Sequence, residues 1–235
     1  MASELIGVVV GLAAEARIAR WLGWPVAVGG ATSAGAECAA RELINAGCDA
    51  LVSFGLAGGL DPSLRPGALV VPAAVISGGR RHATDPDLSR RLGGASQQVM
   101  LGAEAVVASV VEKRRLHDDT HATAVDLESG SVARVAVEYG RPFAALRAIC
   151  DPADRDLPPA ALRTLDGGGV IALGRLLASI AAEPGQLAAL LRLAAHAGKA
   201  RRSLAARARL IGYDAQLCGV RASAGRNCAS LTTRS

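Results

Sequence analysis

The segment Phe54-Gly55-Leu56-Ala57-Gly58-Gly59-Leu60-Asp61-Pro62-Ser63-Leu64-Arg65-Pro66-Gly67 most constrains the fold, since it holds four glycines and two prolines in fourteen residues. It separates two strand-like apolar runs, Asp49-Ala50-Leu51-Val52-Ser53 and Ala68-Leu69-Val70-Val71-Pro72-Ala73-Ala74-Val75-Ile76. The pattern predicts a strand opening into a glycine-rich loop. With no β-carbon in the way, backbone N–H groups in such a loop come close to an anion or a sugar. A mobile surface turn is the alternative.

Apolar runs alternate with helical patterns along the rest of the chain. Strands are expected at 5–10, 26–28, 50–53, 68–76, 98–101, 122–125 and 143–149. Helices are expected at 13–22, 34–46, 103–116, 128–139, 171–182 and 184–210. This βα order predicts a single α/β domain with a mixed, largely parallel central sheet flanked by helices. Ligands of open α/β sheets bind beyond the carboxyl ends of strands, where Glu15, the glycine segment, Glu128 and Asp151 fall.

A length of 235 residues with 51% apolar and 20% charged side chains supports one sizeable core. The domain is placed at 1–213. The residues from Asp214 to Ser235 lack a period and read as a poorly ordered basic tail. From Lys199 onward eight Lys or Arg face one acid, a local charge of +7 in a chain whose total is +5. That end is either a solvated face or a peripheral contact with an anionic membrane. Nucleic-acid binding is disfavoured, because its only aromatic is Tyr213 and no groove-reading motif is present. No apolar run reaches the ~18 to 20 residues that span a bilayer, and the N-terminus lacks a signal-peptide pattern. The expectation is a cytoplasmic protein.

Five cysteines form no C-x-x-C pair, which argues against a disulfide framework or a zinc site, and Cys38 and Cys48 read as small core residues. His117 and His121 flank Asp118 and Asp119 in what reads as a polar turn, so no metal is expected. Asp151, before Pro152, could open a turn or serve as a buried acid. Glu128, at a helix start, is favourable through the helix dipole alone. Arg147, inside a strand, could neutralise a buried acid or touch a ligand, while Asp126 could cap the helix that follows it or point away.

Two further segments follow the glycine stretch, Val125-Asp126-Leu127-Glu128-Ser129-Gly130-Ser131-Val132-Ala133 and Pro142-Phe143-Ala144-Ala145-Leu146-Arg147-Ala148-Ile149-Cys150-Asp151-Pro152-Ala153-Asp154. In this order, and with Ile6-Gly7-Val8-Val9-Val10-Gly11-Leu12-Ala13-Ala14-Glu15 before them, the chain resembles purine nucleoside phosphorylases and methylthioadenosine/S-adenosylhomocysteine nucleosidases. The resemblance spans residues 4 to about 160. Leu127 stands where the family has Met, Cys150 where it has Ser, and Leu56 where the nucleosidases have a loop Ser. The opening and the glycine segment look most like the hopanoid-associated branch, whose substrate is adenosylhopane.

The resemblance implies an enzyme that cleaves the N-glycosidic bond of a 5′-modified adenosine and releases adenine. It casts Asp151 as the acid that protonates the purine, Glu128 as the ligand of the ribose hydroxyls and Leu127 as the ribose border. Glu15 becomes the residue beside the nucleophile, and Gly30, Thr32 and Gly55 to Gly59, including Ala57 and Gly58, become the cradle. Arg17 would hold phosphate or stand on a solvated helix face, and Val106 and Val107 would contact the base. Inorganic phosphate is a potential co-substrate, no other cofactor is implied, and a homo-oligomer is. Phosphorolysis, hydrolysis and a catalytically silent nucleoside binder remain open.

Overall fold

The alternation folds into one nine-stranded sheet with helices on both faces. The computed structural model describes residues 4–94, 97–159, 161 and 187–229, the last sixteen as backbone. β1 (Ile6–Val10) is apolar throughout because helices cover both its faces. It pairs in parallel with β2 (Val26–Val28) and with β3 (Ala50–Gly59), and β3 pairs in parallel with β9 (Phe143–Asp151). β4 (Leu69–Val70) adds to β9 in the antiparallel sense. β5 (Ala74–Ser77), β7 (Val99–Gly102) and β8 (Ala124–Asp126) continue the sheet in parallel, and β6 (Arg80–Ala83) closes one edge against β5. The two halves meet where the end of β3 turns antiparallel to β8, at Gly58↔Val125 and Gly59↔Ala124.

The glycine segment is therefore not the loop expected, because β3 runs through it to Gly59. Its glycines serve close packing instead. A β-carbon at Gly59 would lie 3.3 Å from Ile149 Cγ2, and one at Gly58 would lie 3.3 Å from Val125 Cγ1. The loop begins only at Leu60, with the turn at Asp61 to Leu64.

Strand alternation divides the core in two. Ile6, Val8, Val10, Val52, Phe54 and Leu146 face α1 (Ala13–Ala19), α3 (Pro86–Arg91) and α6 (Leu187–Ala229). Val9, Leu51, Ala145 and Ile149 face α2 (Ser33–Asn45) and α5 (Ser129–Glu138). On α6 the fully buried stripe Ala200, Leu204, Ala208 recurs at helical spacing, and its alanines bring the helix close to β9. Thr32 caps α2 by accepting the Gly35 N–H at 3.1 Å, and Asp85 caps α3 by accepting that of Leu88 at 2.8 Å.

Other local expectations differ from the structure: the single strand expected at 68–76 breaks into β4 and β5, and β6 and α3 arise in a stretch where no element was expected. The helix expected from Ala103 begins at Val110 as α4 (Val110–Thr120), because Ser109 accepts the Glu112 N–H and fixes its start there. Val107 buries instead against Leu60 and Val125. Cys38 is exposed on α2, whereas Cys48 is buried. α6 continues as helical backbone past Asp214 to Ala229, and the helix expected at 171–182 lies outside the described residues. No described helix is long and apolar enough to cross a membrane.

Candidate active site

β1 ends at Val10, and the chain turns through Gly11 and Leu12 into α1, which puts Glu15 in the first helical turn above the strand end. Glu15 is 4% exposed. Its Oε2 accepts the Leu12 N–H at 2.9 Å and its Oε1 accepts the Leu56 N–H at 2.9 Å, so the carboxyl is tied to the start of its own helix and to β3. Glu128, between β8 and α5, reaches the same point. A β-carbon at Gly11 would fall 2.5 Å from Glu128 Oε1 and 3.3 Å from Glu15 Oε2, so the two carboxyls converge over that glycine.

Beneath them lies Arg147. Its place in β9 has the inward parity of Phe143, Ala145 and Ile149, and its cross-strand partner is Gly55. A β-carbon at Gly55 would stand 2.7 Å from both Arg147 Nη1 and Glu15 Oε1, so the glycine opens the space in which they meet. Arg147 is 1% exposed. Nη2 pairs with Asp126 Oδ2 at 2.6 Å and Nη1 with Glu128 Oε2 at 3.0 Å. Nη2 also donates to Ser53 Oγ at 2.5 Å, and Nη1 donates to the Leu56 carbonyl at 3.3 Å. Asp126 meanwhile accepts the Ser129 N–H, so it caps α5 as well as neutralising the arginine. Arg147 thus answers buried acids. Burial pushes the Glu128 carboxyl up to about 7; Arg147 opposes the rise, and the Asp126 and Glu15 charges add to it.

Asp151 ends β9 opposite Gly58. Its Oδ2 lies 2.6 Å from the Nζ of Lys113, a fully buried lysine of α4. The same ammonium donates to the Pro152 carbonyl at 3.0 Å and the Arg155 carbonyl at 2.7 Å. Burial pushes Asp151 up to about 6 against the pull of Lys113, with Asp156 and Asp154 adding to the rise. A cavity of about 190 Å³ opens beside it, lined by Pro152, Leu157, Pro158 and, from α6, Arg192, Leu193 and His196. The structure thus sets a buried acid, Asp151, at the end of β9 beside this cavity and a pair of convergent carboxyls, Glu15 and Glu128, over Gly11, outside the cavity lining; a buried acid and a buried base are groups suited to acid-assisted bond cleavage.

Of the other expected residues, Ala57 and Gly58 lie at the irregularity where β3 passes Asp151, and Leu127 is half-buried beside Glu128. Gly30 stands in the turn between β2 and α2 with φ 70°. Arg17 is exposed, two residues from the buried Glu15 and so on another face of α1. Phe54 and Phe143 are buried in the core, and Tyr139 lies in an exposed cluster with Arg41 and Glu138. The run expected as a polar turn is instead the last turn of α4, with His117 to Asp119 helical and His121 its left-handed cap; His117 Nδ1 lies 2.8 Å from the Ala122 carbonyl. Sequence reasoning did not single out Lys113, Ser53 or Ser129. Lys113 sits in a run of charged residues and carried no distinguishing signal, whereas an arginine at an inward strand position was a signal of a buried counter-charge.

A family model, the phosphorylase superfamily, matches residues 26–166. No curated protein matches the sequence significantly. Among solved structures, a mutant of the Helicobacter pylori 5′-methylthioadenosine/S-adenosylhomocysteine nucleosidase, with 5′-methylthioadenosine in its active site, superposes with a TM-score of 0.60 at 18% identity. That match covers 77% of this chain and 99% of the other. The Helicobacter pylori futalosine hydrolase gives 0.59 at 19% identity, covering 77% and 98%. The Neisseria meningitidis 5′-methylthioadenosine/S-adenosylhomocysteine nucleosidase, in complex with methylthio-immucillin-A, gives 0.61 at 17% identity, covering 88% and 99%. At these identities the likeness is one of fold.

Proposed function

The chain belongs to the phosphorylase superfamily, and from that premise we propose that it hydrolyses the N-glycosidic bond of a 5′-modified adenosine and releases adenine. Asp151 gives its proton to purine N7 as the bond to the ribose C1′ breaks, so the base departs neutral. Glu128 accepts hydrogen bonds from the ribose hydroxyls. Glu15, each oxygen of which already accepts one backbone N–H, takes a proton from the water that attacks C1′.

The choice of water over phosphate rests on charge. Glu15, Glu128 and Asp126 are set against the single cation Arg147, which the last two already engage. No second cation joins this cluster among the described residues, and Arg17 is exposed. A phosphate dianion placed there would meet net negative charge, whereas water would not. The test is adenine release from methylthioadenosine with and without phosphate. Equal rates and a free reducing sugar are expected; strict phosphate dependence with a ribose 1-phosphate product would return the enzyme to the phosphorylases.

The finer reading is an apolar 5′ substituent of the adenosylhopane kind. In support, α6 carries Arg202, Arg209, Leu210 and Tyr213 on its exposed side, next to the exposed Trp21, whose ring lies 4.8 Å from the Arg209 guanidinium. Interfacial aromatics among arginines suit an anionic bilayer surface, each cation adding about 1 kcal/mol. Salt-sensitive cosedimentation with anionic liposomes tests this, and protein left in the supernatant at low salt contradicts it. Assembly into a homo-oligomer is part of the same proposal and is read by analytical ultracentrifugation.

A further inference from the structure

Lys113 is the one buried lysine among the described residues, and all three hydrogens of its ammonium have acceptors: Asp151 Oδ2 at 2.6 Å and the carbonyls of Pro152 and Arg155 at 3.0 and 2.7 Å. Removing the side-chain nitrogen would leave these three acceptors without their shared donor. The ammonium ties α4 to the turn that follows β9. It also dictates where the acid's proton sits, because an oxygen engaged by an ammonium at 2.6 Å is an acceptor, which leaves the other oxygen to carry the proton.

We propose that Lys113 is a positioning residue for Asp151: it orients the carboxyl, fixes the 152–155 turn and sets the pH above which the acid is spent. The inference rests on Asp151 being the acid. The other charged groups around Asp151 are Asp154, Arg155 and Asp156 from its own turn and Arg192 and His196 from α6, across the cavity. Of these, only Lys113 makes an ion pair with the carboxyl. It opposes burial, which alone would hold the proton to higher pH.

Titration of the Asp151 carboxyl carbon by NMR in wild type, Lys113→Gln and Lys113→Arg tests this without a substrate, with Asp151→Asn assigning the signal. Glutamine keeps hydrogen bonds to the turn but not the charge. Its carboxyl is expected to titrate at least about one pH unit higher, and the alkaline limb of kcat/KM should move with it. Arginine keeps the charge on a different geometry, so its limb should stay within about half a unit while kcat falls at least ~5-fold and KM changes less. An unmoved carboxyl in Lys113→Gln overturns the proposal. If glutamine unfolds the chain, wild-type kcat in Lys113→Arg overturns the positioning role. Asp151→Asn separates the two claims: activity within a few-fold of wild type defeats the acid assignment itself, whereas a dead Asp151→Asn with an unmoved Lys113→Gln defeats only the inference.

Discussion

Replacing Arg147 by methionine keeps a side chain of similar length and removes the one positive charge that pairs with Asp126 and Glu128 among the described residues. Both carboxyls are buried, at 2.6 and 3.0 Å from the guanidinium. Breaking a buried ion pair by deleting one partner costs about 3 to 5 kcal/mol, a large share of the roughly 5 to 15 kcal/mol that holds a domain folded. Protons can substitute for the arginine, and this sets the pH dependence. Glu128 is already raised to about 7 with Arg147 opposing the rise, so its removal lifts the carboxyl further. The folded state then binds more protons than the unfolded one, and stability falls as pH rises from the ordinary carboxylate range through the raised value. Urea unfolding followed by circular dichroism at pH 5, 6, 7 and 8 should show a deficit of about 3 to 5 kcal/mol at pH 8 that shrinks toward pH 5. A deficit below about 1 kcal/mol at pH 8, or one equal at pH 5 and pH 8, refutes the reasoning.

Gly11→Ala would drive a methyl into Glu128 Oε1 and should cut kcat/KM at least ~10-fold by displacing that carboxyl; turnover like wild type would mean that the carboxyls do not act from over Gly11. Glu128→Gln should weaken ribonucleosides by about 1.5 to 3 kcal/mol in kcat/KM and 2′-deoxy analogues much less, so equal losses would place Glu128 away from the ribose. In wild type, kcat/KM should fall above about 6 as Asp151 loses its proton and below about 7 as Glu128 gains one. That makes a narrow bell whose acid limb disappears in Glu128→Gln, and a profile flat from pH 5 to 8 would contradict both assignments.

The βα alternation, the mixed sheet and the strand ends that carry Glu15, Glu128 and Asp151 were legible because apolar period and motif order are local properties, whereas β6, α3 and the break of the 68–76 run into β4 and β5 were not anticipated. The glycine segment misled for a physical reason. Gly55, Gly58 and Gly59 look like loop residues in one dimension, but they are strand residues kept bare because Arg147, Val125 and Ile149 press against them from other strands. The start of α4 turned on Ser109, a cap inside a run that reads as helical from Ala103. Arg147 was visible as an anomaly, but its partners lie on β3, β8 and the turn after β8, and only the fold brings them together. Lys113 was illegible, since nothing in Glu112-Lys113-Arg114-Arg115 distinguishes the one cation that turns inward.

The central claim is that this site breaks a purine glycosidic bond with Asp151 as the acid, and adenine release from methylthioadenosine by wild type and Asp151→Asn tests it most directly. Wild type is expected to release adenine, and the folded variant to be slower by ~10² to 10⁴, the range for loss of a general acid. No adenine from wild type with methylthioadenosine or with an adenosine bearing a long apolar 5′ group, or release by Asp151→Asn within a few-fold of wild type, would contradict the account.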